Sequence, residues 1–219
     1  MPRLVADGDV LVWTAARAEI LAADGPAPDP AETERARAMS HPRSRERFLA
    51  GRLLLRRALG PLLGLAPAAV PVLGGEGEAP RLAAPHDGLH LSVSHGETVE
   101  AVAVAAAPVG VDVEESCPAD FAGVAPVVMH EDELALFRRL DEDEARLAFR
   151  RLWTRKEAVL KAAGLGFSRD PRSFAVGIAA AAGPVSLDGR VYALAELPGG
   201  VGTVALAAEA LRLRGMALR

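Results

Sequence analysis

The chain has 219 residues, half of them hydrophobic, and a formal net charge of -4 at pH 7, which suits a soluble globular protein of one large domain or two of about 100 residues each. Acids outnumber bases by 29 to 25, which argues against a general nucleic-acid binder. No stretch approaches the roughly 20 apolar residues of a membrane span, so no membrane partner is expected. A single cysteine excludes an internal disulfide and fits a reducing cytosol. The first residues carry acids and no apolar run, so no secretory signal is evident and a cytoplasmic protein is expected. Aromatics make up only 4%, so the core must be built mostly of Ala, Val and Leu.

In chain order, Val10 to Ala15 reads as a short strand, and the Pro- and Asp-rich run from Asp24 to Pro30 as a loop. A helix is expected to start near Asp29 to Glu32. From Arg43 an amphipathic helix offers Phe48, Leu54, Leu55 and Leu59 for packing, and Gly60-Pro61 is expected to end it. Between Arg35 and Arg57 stand eight arginines and one acid, Glu46. That is either a solvated basic face or a phosphate clamp. Gly74 to Pro85 is a loop by composition. It leads into a strand in which Leu89, Leu91 and Val93 alternate with His90, Ser92 and Ser94, closed by Ser94-His95-Gly96. Adjacent Ser and His point apart on a strand, so they are not a nucleophile with its base. His86, His90 and His95, with no further thiol or imidazole nearby, do not make a structural zinc site. A histidine in this position can instead offer its ring to an anion.

Thr98 to Ala105 is a second strand and Gly110 to Glu115 a third. Period-two alternation puts Val111 and Val113 on one face and Asp112 and Glu114 on the other. Two carboxylates this close repel, which either solvent or a cation relieves. A third carboxylate, Glu157, makes a hard oxygen site for Mg2+ the sharper alternative. Cys117 to Met129 is irregular and apolar, either core or docking surface. Glu131-Asp132-Glu133 and Asp141 to Glu144 read as acidic helix starts, which suit the helix dipole and need no metal. Ser173 to Ile178, Arg190 to Glu196 and Val201 to Ala207 read as strands. The run at Thr98 is weakly similar to that at Thr203, as a duplicated half would be.

The stretch Trp153 to Gly164, W-T-R-K-E-A-V-L-K-A-A-G, contains the only two lysines, Lys156 and Lys161, among 25 basic residues. An ammonium is a compact point charge that a guanidinium cannot simply replace, so this usage suggests that lysine chemistry is needed here. The composition is helical and Gly164 is placed as a stop. Trp153, Glu157 and Lys161 share one stripe. The plain alternative is an exposed Glu/Lys pair that stabilises a surface helix.

Taken together, G-V-D-V-E at Gly110, the Trp153 stretch and S-V-S-H-G at Ser92 resemble the 4'-phosphopantetheinyl transferase superfamily. The length and the arginine helix resemble its larger, surfactin-synthetase-activating type. The resemblance spans about Arg43 to Phe167. It implies an α+β fold of two similar α/β halves with pseudo-twofold symmetry. Residues 1–107 would supply coenzyme A phosphate contacts, and residues 108–219 the metal site and the lysine helix. The implied reaction moves phosphopantetheine from coenzyme A to a serine of an acyl or peptidyl carrier protein, as in polyketide or nonribosomal peptide biosynthesis, and releases adenosine 3',5'-bisphosphate. The same resemblance makes Asp112, Glu114 and Glu157 the Mg2+ ligands, Glu157 the base and Lys161 a contact to the attacked phosphate. Arg47, Ser94, His95 and Lys156 would contact the coenzyme, with Arg35 and Arg43 assisting, and a monomer is expected. Phe121 to Met129 would receive the apo carrier protein. The family often has G-K-P where this chain has Gly77-Glu78-Ala79-Pro80, so one lysine contact is missing. A non-catalytic coenzyme A or carrier-protein binding module is the alternative. A nucleotidyl transferase with a G-x-x-x-x-G-K loop finds no support.

Overall fold

The continuous apolar run Val10-Leu11-Val12-Trp13, buried on both faces, makes Asp9–Ala16 the first strand, β1, which passes directly into helix α1, Arg17–Ala22. The computed structural model describes residues 5–23, 29–74 and 78–216. Most of the loop expected from Asp24, and Gly77 of the G-E-A-P run, lie outside them. Asp29 accepts a hydrogen bond from Ala31 N and caps α2, Pro30–Ala38, as the sequence anticipates. Helix α3, Pro42–Leu63, does not end at Gly60-Pro61 but runs through Pro61 to a left-handed Gly64. Pro61 forfeits one intrahelical bond, while the buried Leu53, Leu54, Leu55 and Leu59 carry the helix past it. Each such leucine contributes on the order of 1.5 to 3 kcal/mol of burial.

The short paired strands β2 (Val72–Leu73) and β3 (Arg81–Leu82) precede β4 (His90–His95), β5 (Val99–Ala105) and β6 (Val109–Val113). Three helices follow: α4 (Phe121–Val128), α5 (Glu131–Phe137) and α6 (Glu142–Ala163). The last strands are β7 (Val185–Leu187), β8 (Arg190–Glu196), β9 (Gly202–Leu206) and β10 (Arg212–Gly215). Both acidic helix starts are real. His130 with Glu133, and Asp141 with Glu144, form capping boxes, and α6 stops at a left-handed Gly164.

Two expectations need correction. Cys117 to Met129 is not irregular throughout, because Asp120 caps α4 by accepting from Gly123 N. Ser173 to Ile178 is not a strand. There the N–H groups of Val176 and Gly177 donate to the buried carboxylate of Glu133 instead of to a neighbouring strand.

The fold is α+β. One sheet has the order β10-β1-β5-β4 and the other β6-β9-β8-β7, with β1 and β10 parallel and the other pairs antiparallel. α3 covers the outer face of the first sheet and α6 that of the second. Between the sheets lies a core that, among the described residues, is made of Ala, Val and Leu, including Val12, Ala103, Val111 and Leu206. This is what the scarcity of aromatics required. β10 returns from the C-terminal side to complete the sheet of the N-terminal side.

Candidate active site

The site grows from the contact of α6 with β6. Gly110, Asp112 and Glu114 follow one another on the side of β6 that faces α6, while Val109, Val111 and Val113 face the inter-sheet core. A Cβ on Gly110 would stand 1.9 Å from Ala158 O, so the helix rests on bare backbone. That closeness lets Lys161 reach across the strand. Its Nζ donates to Asp112 Oδ1 at 2.7 Å, Val111 O at 3.0 Å and Ser94 Oγ at 3.2 Å. β6 is the edge of its sheet, and its outward N–H groups are buried. Ser92 Oγ accepts from Val111 N at 3.0 Å, and Ser94 Oγ from Val113 N at 3.2 Å. Ser94 also donates to Asp112 Oδ1 at 2.9 Å. The polar face predicted for β4 is thus the seam between the two sheets.

Asp112, Glu114 and Glu157 are electrostatic neighbours. Burial, then the adjacent Asp112, pushes the Glu114 carboxyl up to about 7, with Lys161 and Arg47 pulling the other way. Glu157 is raised by burial and then by Asp112. Among the described residues, the buried Asp112 Oδ2 has no hydrogen-bond partner. An orphaned carboxylate oxygen beside two strained carboxylates is the donor set a hard divalent cation prefers. The three are not a closed cage as they stand. Among the described residues, no three His, Cys, Asp or Glu side chains are close enough to share one ion. Asp112 is fixed, whereas Glu114 and Glu157 are half-buried on longer side chains.

Most of the arginine cluster is structural. Arg52 and Arg56 share the buried Glu32, Arg45 donates to Ala36 O and Met39 O at the end of α2, and Arg57 to Ile20 O and Ala23 O at the end of α1. Arg35 lies over the Phe48 ring, 4.6 Å from its centroid, and donates to Gly74 O. Arg43 and Arg47 are exposed and, among the described residues, have no hydrogen-bond or ion-pair partner, although Arg47 is close enough to act on Glu114. Neither reading of the basic run describes most of it, since Arg35, Arg45, Arg52, Arg56 and Arg57 hold backbone carbonyls or Glu32, while Arg43 and Arg47 stay exposed.

Trp153, Glu157 and Lys161 form the half-exposed stripe that the helical period requires. Lys156 does not join them. Its Nζ is buried on another face of α6, paired with Glu133 at 2.9 Å and donating to Pro171 O and Phe174 O. All three ammonium hydrogens are spent on the fold. Expecting it to touch the coenzyme overlooked the inward turn of its side chain, which depends on Glu133, 23 residues upstream in sequence. Trp153 stacks on Phe149, ring centroids 6.0 Å apart, and lines two cavities. One, of about 140 Å³, adjoins Glu157 and includes Leu160, Arg169 and Pro171. The other, of about 240 Å³, adjoins Glu114 and includes Ser116, Cys117 and Arg150. In the segment expected to dock a carrier, Phe121, Ala125, Val128 and Met129 are core, and Val127 is exposed. Sequence reasoning missed Ser92, Glu115 and Glu100. Glu115, from the strand's end, accepts from Thr98 N, Thr98 Oγ1 and Val99 N across the seam.

The family model of the 4'-phosphopantetheinyl transferase superfamily matches residues 108–192, which include Asp112, Glu114, Glu157 and Lys161. The 4'-phosphopantetheinyl transferase HetI of Nostoc sp. is 34% identical over 149 residues, 63% of this chain and 60% of that protein. A 4'-phosphopantetheinyl transferase of Bacillus subtilis is 30% identical over 143 residues, 65% of this chain and 63% of that protein. The 4'-phosphopantetheinyl transferase AcpT of Escherichia coli K12 is 35% identical over 122 residues, 55% of this chain and 58% of that protein. The chain thus aligns with about 60% of the length of these relatives. The motifs of β6 and α6 lie inside the matched region with their side chains joined at one seam, and it is there that the chain is similar to the 4'-phosphopantetheinyl transferase superfamily.

Proposed function

We propose that this protein transfers the 4'-phosphopantetheine group of coenzyme A to a serine hydroxyl of an acyl or peptidyl carrier protein and releases adenosine 3',5'-bisphosphate. The observation that carries this reading is the seam itself, where Asp112, Glu114, Glu157, Lys161 and Ser94 meet between the sheets. Phosphoryl transfer asks for positioned charge more than for covalent help, and the side chains of this seam are of that kind. Asp112, Glu114 and Glu157 would hold Mg2+. When bound, it would neutralise the coenzyme's diphosphate oxygens. Glu157, whose proton affinity is raised by burial and by Asp112, takes the proton of the carrier serine as its oxygen attacks phosphorus and the bond to the adenosine bisphosphate oxygen breaks. Lys161 supplies fixed positive charge. It already serves three protein acceptors, so a phosphate contact exchanges one of them. Arg47, Arg43 and His95 receive the outer phosphates.

The two-half organisation, residues 1–107 and 108–219, belongs to this proposal. It is supported by the strand orders β1-β5-β4 and β6-β9-β8, each covered by a 22-residue helix, α3 or α6. We assign the protein to the larger type of the family, acting as a cytosolic monomer. Among the described residues, no helix is long and apolar enough to cross a membrane. Carrier docking beside the site would use the exposed Val127 of α4 rather than the buried Val128. Incubation with coenzyme A, Mg2+ and an apo carrier protein, followed by weighing the carrier, tests the reaction. A carrier gaining the mass of phosphopantetheine is expected. A bound coenzyme with an unchanged carrier would favour the non-catalytic module instead.

A further inference from the structure

The turn that carries His95 is held from behind by two side chains, Arg17 and Glu100. Glu100 stands directly opposite His95 in the register of β4 and β5, so the two are cross-strand neighbours. Alternation puts Glu100 on the α3 side of the sheet with Val102 and Val104, and its side chain is fully buried. A buried carboxylate is costly unless paired, and this one has two partners. Arg17 Nε donates to Glu100 Oε1 at 2.6 Å, and His95 Nδ1 meets Glu100 Oε2. Arg17 also donates to Glu97 O at 2.6 Å and Gly96 O at 2.7 Å, so one guanidinium fixes both the carboxylate and the backbone beside the histidine. On the other side, Gly51 of α3 lets the ring lie against the helix, where a Cβ would stand 2.5 Å from His95 Cε1. Arg47 lies one turn earlier on the same stripe of α3, and Glu115 Oε2 faces the turn at Gly96. His95 Nε2 has no hydrogen-bond partner among the described residues, and the side chain is 36% exposed.

A carboxylate only accepts, so Nδ1 carries the shared hydrogen and Nε2 is the nitrogen left for solvent or ligand. We propose that Glu100, backed by Arg17, is a positioning residue that locks the His95 ring with Nδ1 inward and presents Nε2, beside Arg47, to a phosphate of coenzyme A. The identity of that ligand rests on the proposed function, whereas the ring geometry does not. The lock explains why the strand Thr98 to Ala105 keeps one charge on a face otherwise given to valine. Its chemistry is that of an anion site whose donor is oriented before the ligand arrives, which lowers the ordering cost of binding.

Two measurements separate the lock from the ligand. Nitrogen NMR of the histidine rings in the free protein should find hydrogen on His95 Nδ1 in the wild type and a shift toward Nε2 in Glu100→Gln. Calorimetric titration with adenosine 3',5'-bisphosphate should weaken about tenfold in Glu100→Ala and in His95→Ala, as for loss of a hydrogen bond to a charged group. The double variant should bind no worse than His95→Ala alone. Should Glu100→Ala not fold, Glu100→Gln keeps the shape and serves in the same cycle. An unchanged His95 tautomer in Glu100→Gln, or losses that simply add in the double variant, would overturn the proposal. A protein that modifies a carrier yet gives those results keeps its function and loses the lock. One with the tautomer shift but no transfer keeps the lock and loses the function.

Discussion

The two lysines stand five positions apart and serve different ends. Lys156 is buried against Glu133, and breaking such a pair from one side costs about 3 to 5 kcal/mol because the remaining charge is stranded. Urea unfolding of Lys156→Met should show a loss of that order; a loss below about 1 kcal/mol would mean that Glu133 finds another partner. Lys161 sits in the seam between α6, β6 and β4, and its compact ammonium serves three acceptors. A guanidinium is too broad to repeat that pattern, and misplacement by about 1 Å costs on the order of a hundredfold in rate. Lys161→Arg should lower kcat by at least that order with little change in Tm, and near-normal turnover would show that charge alone matters there. Glu114 gives a test in pH. Its carboxyl ionises near 4.5 when unfolded and about 7 when folded, so between those values the native state holds the extra proton and stability falls as pH rises. In buffer without divalent metal, Tm should decline over that window, and Glu114→Gln should flatten the decline. An identical slope in the variant would assign the effect to another group.

Elements explain what was readable beforehand. β4, β6 and α6 were legible because each shows its own period over several residues and carries its own stop or cap, as at Asp141 and Gly164. Asp112 with Glu114 was legible as a pair on one strand face, and Glu157 with Lys161 as a pair on one helix stripe, whereas no period shows that the strand and the helix meet; the family resemblance supplied that step. The orientation of Lys156, the loss of the strand at Ser173 to Ile178 and the pairing of Glu100 were not. Each depends on a partner distant in sequence: Glu133 for the first two, Arg17 for the third. α4 was hidden by its glycine and proline, although Asp120 caps it. Gly110 is where two elements meet most closely. Gly110→Ala would place a methyl group 1.9 Å from Ala158 O and should cost about 1 to 3 kcal/mol through overpacking. Because the displaced helix carries Glu157 and Lys161, transfer should fall together with Tm. Full activity in a destabilised Gly110→Ala protein would uncouple the helix position from the chemistry.

At the scale of the molecule, the site is also the fastening between the two sheets. Asp112 is held by Ser94 from the other sheet, and Glu115 holds Thr98 and Val99. A cation bound at Asp112 should therefore stabilise the whole chain, by about 2.7 kcal/mol at a hundred times its Kd. Thermal unfolding with and without Mg2+ should show a saturable rise in Tm that Asp112→Asn abolishes; an equal rise in that variant would move the ion elsewhere. The return of β10 to β1 has a consequence for how the molecule is made. Asp9 and Arg212, 203 positions apart, must meet before the first sheet has its outer edge. On the ribosome, β1 emerges with that edge bare and keeps it bare until nearly all of this sequence has been translated. An uncovered strand edge is a template for pairing with another chain, and contacts between such distant residues form late. β1 is therefore among the last strands of its sheet to be sealed on both sides, and the waiting interval is when nascent copies of this protein are most open to one another.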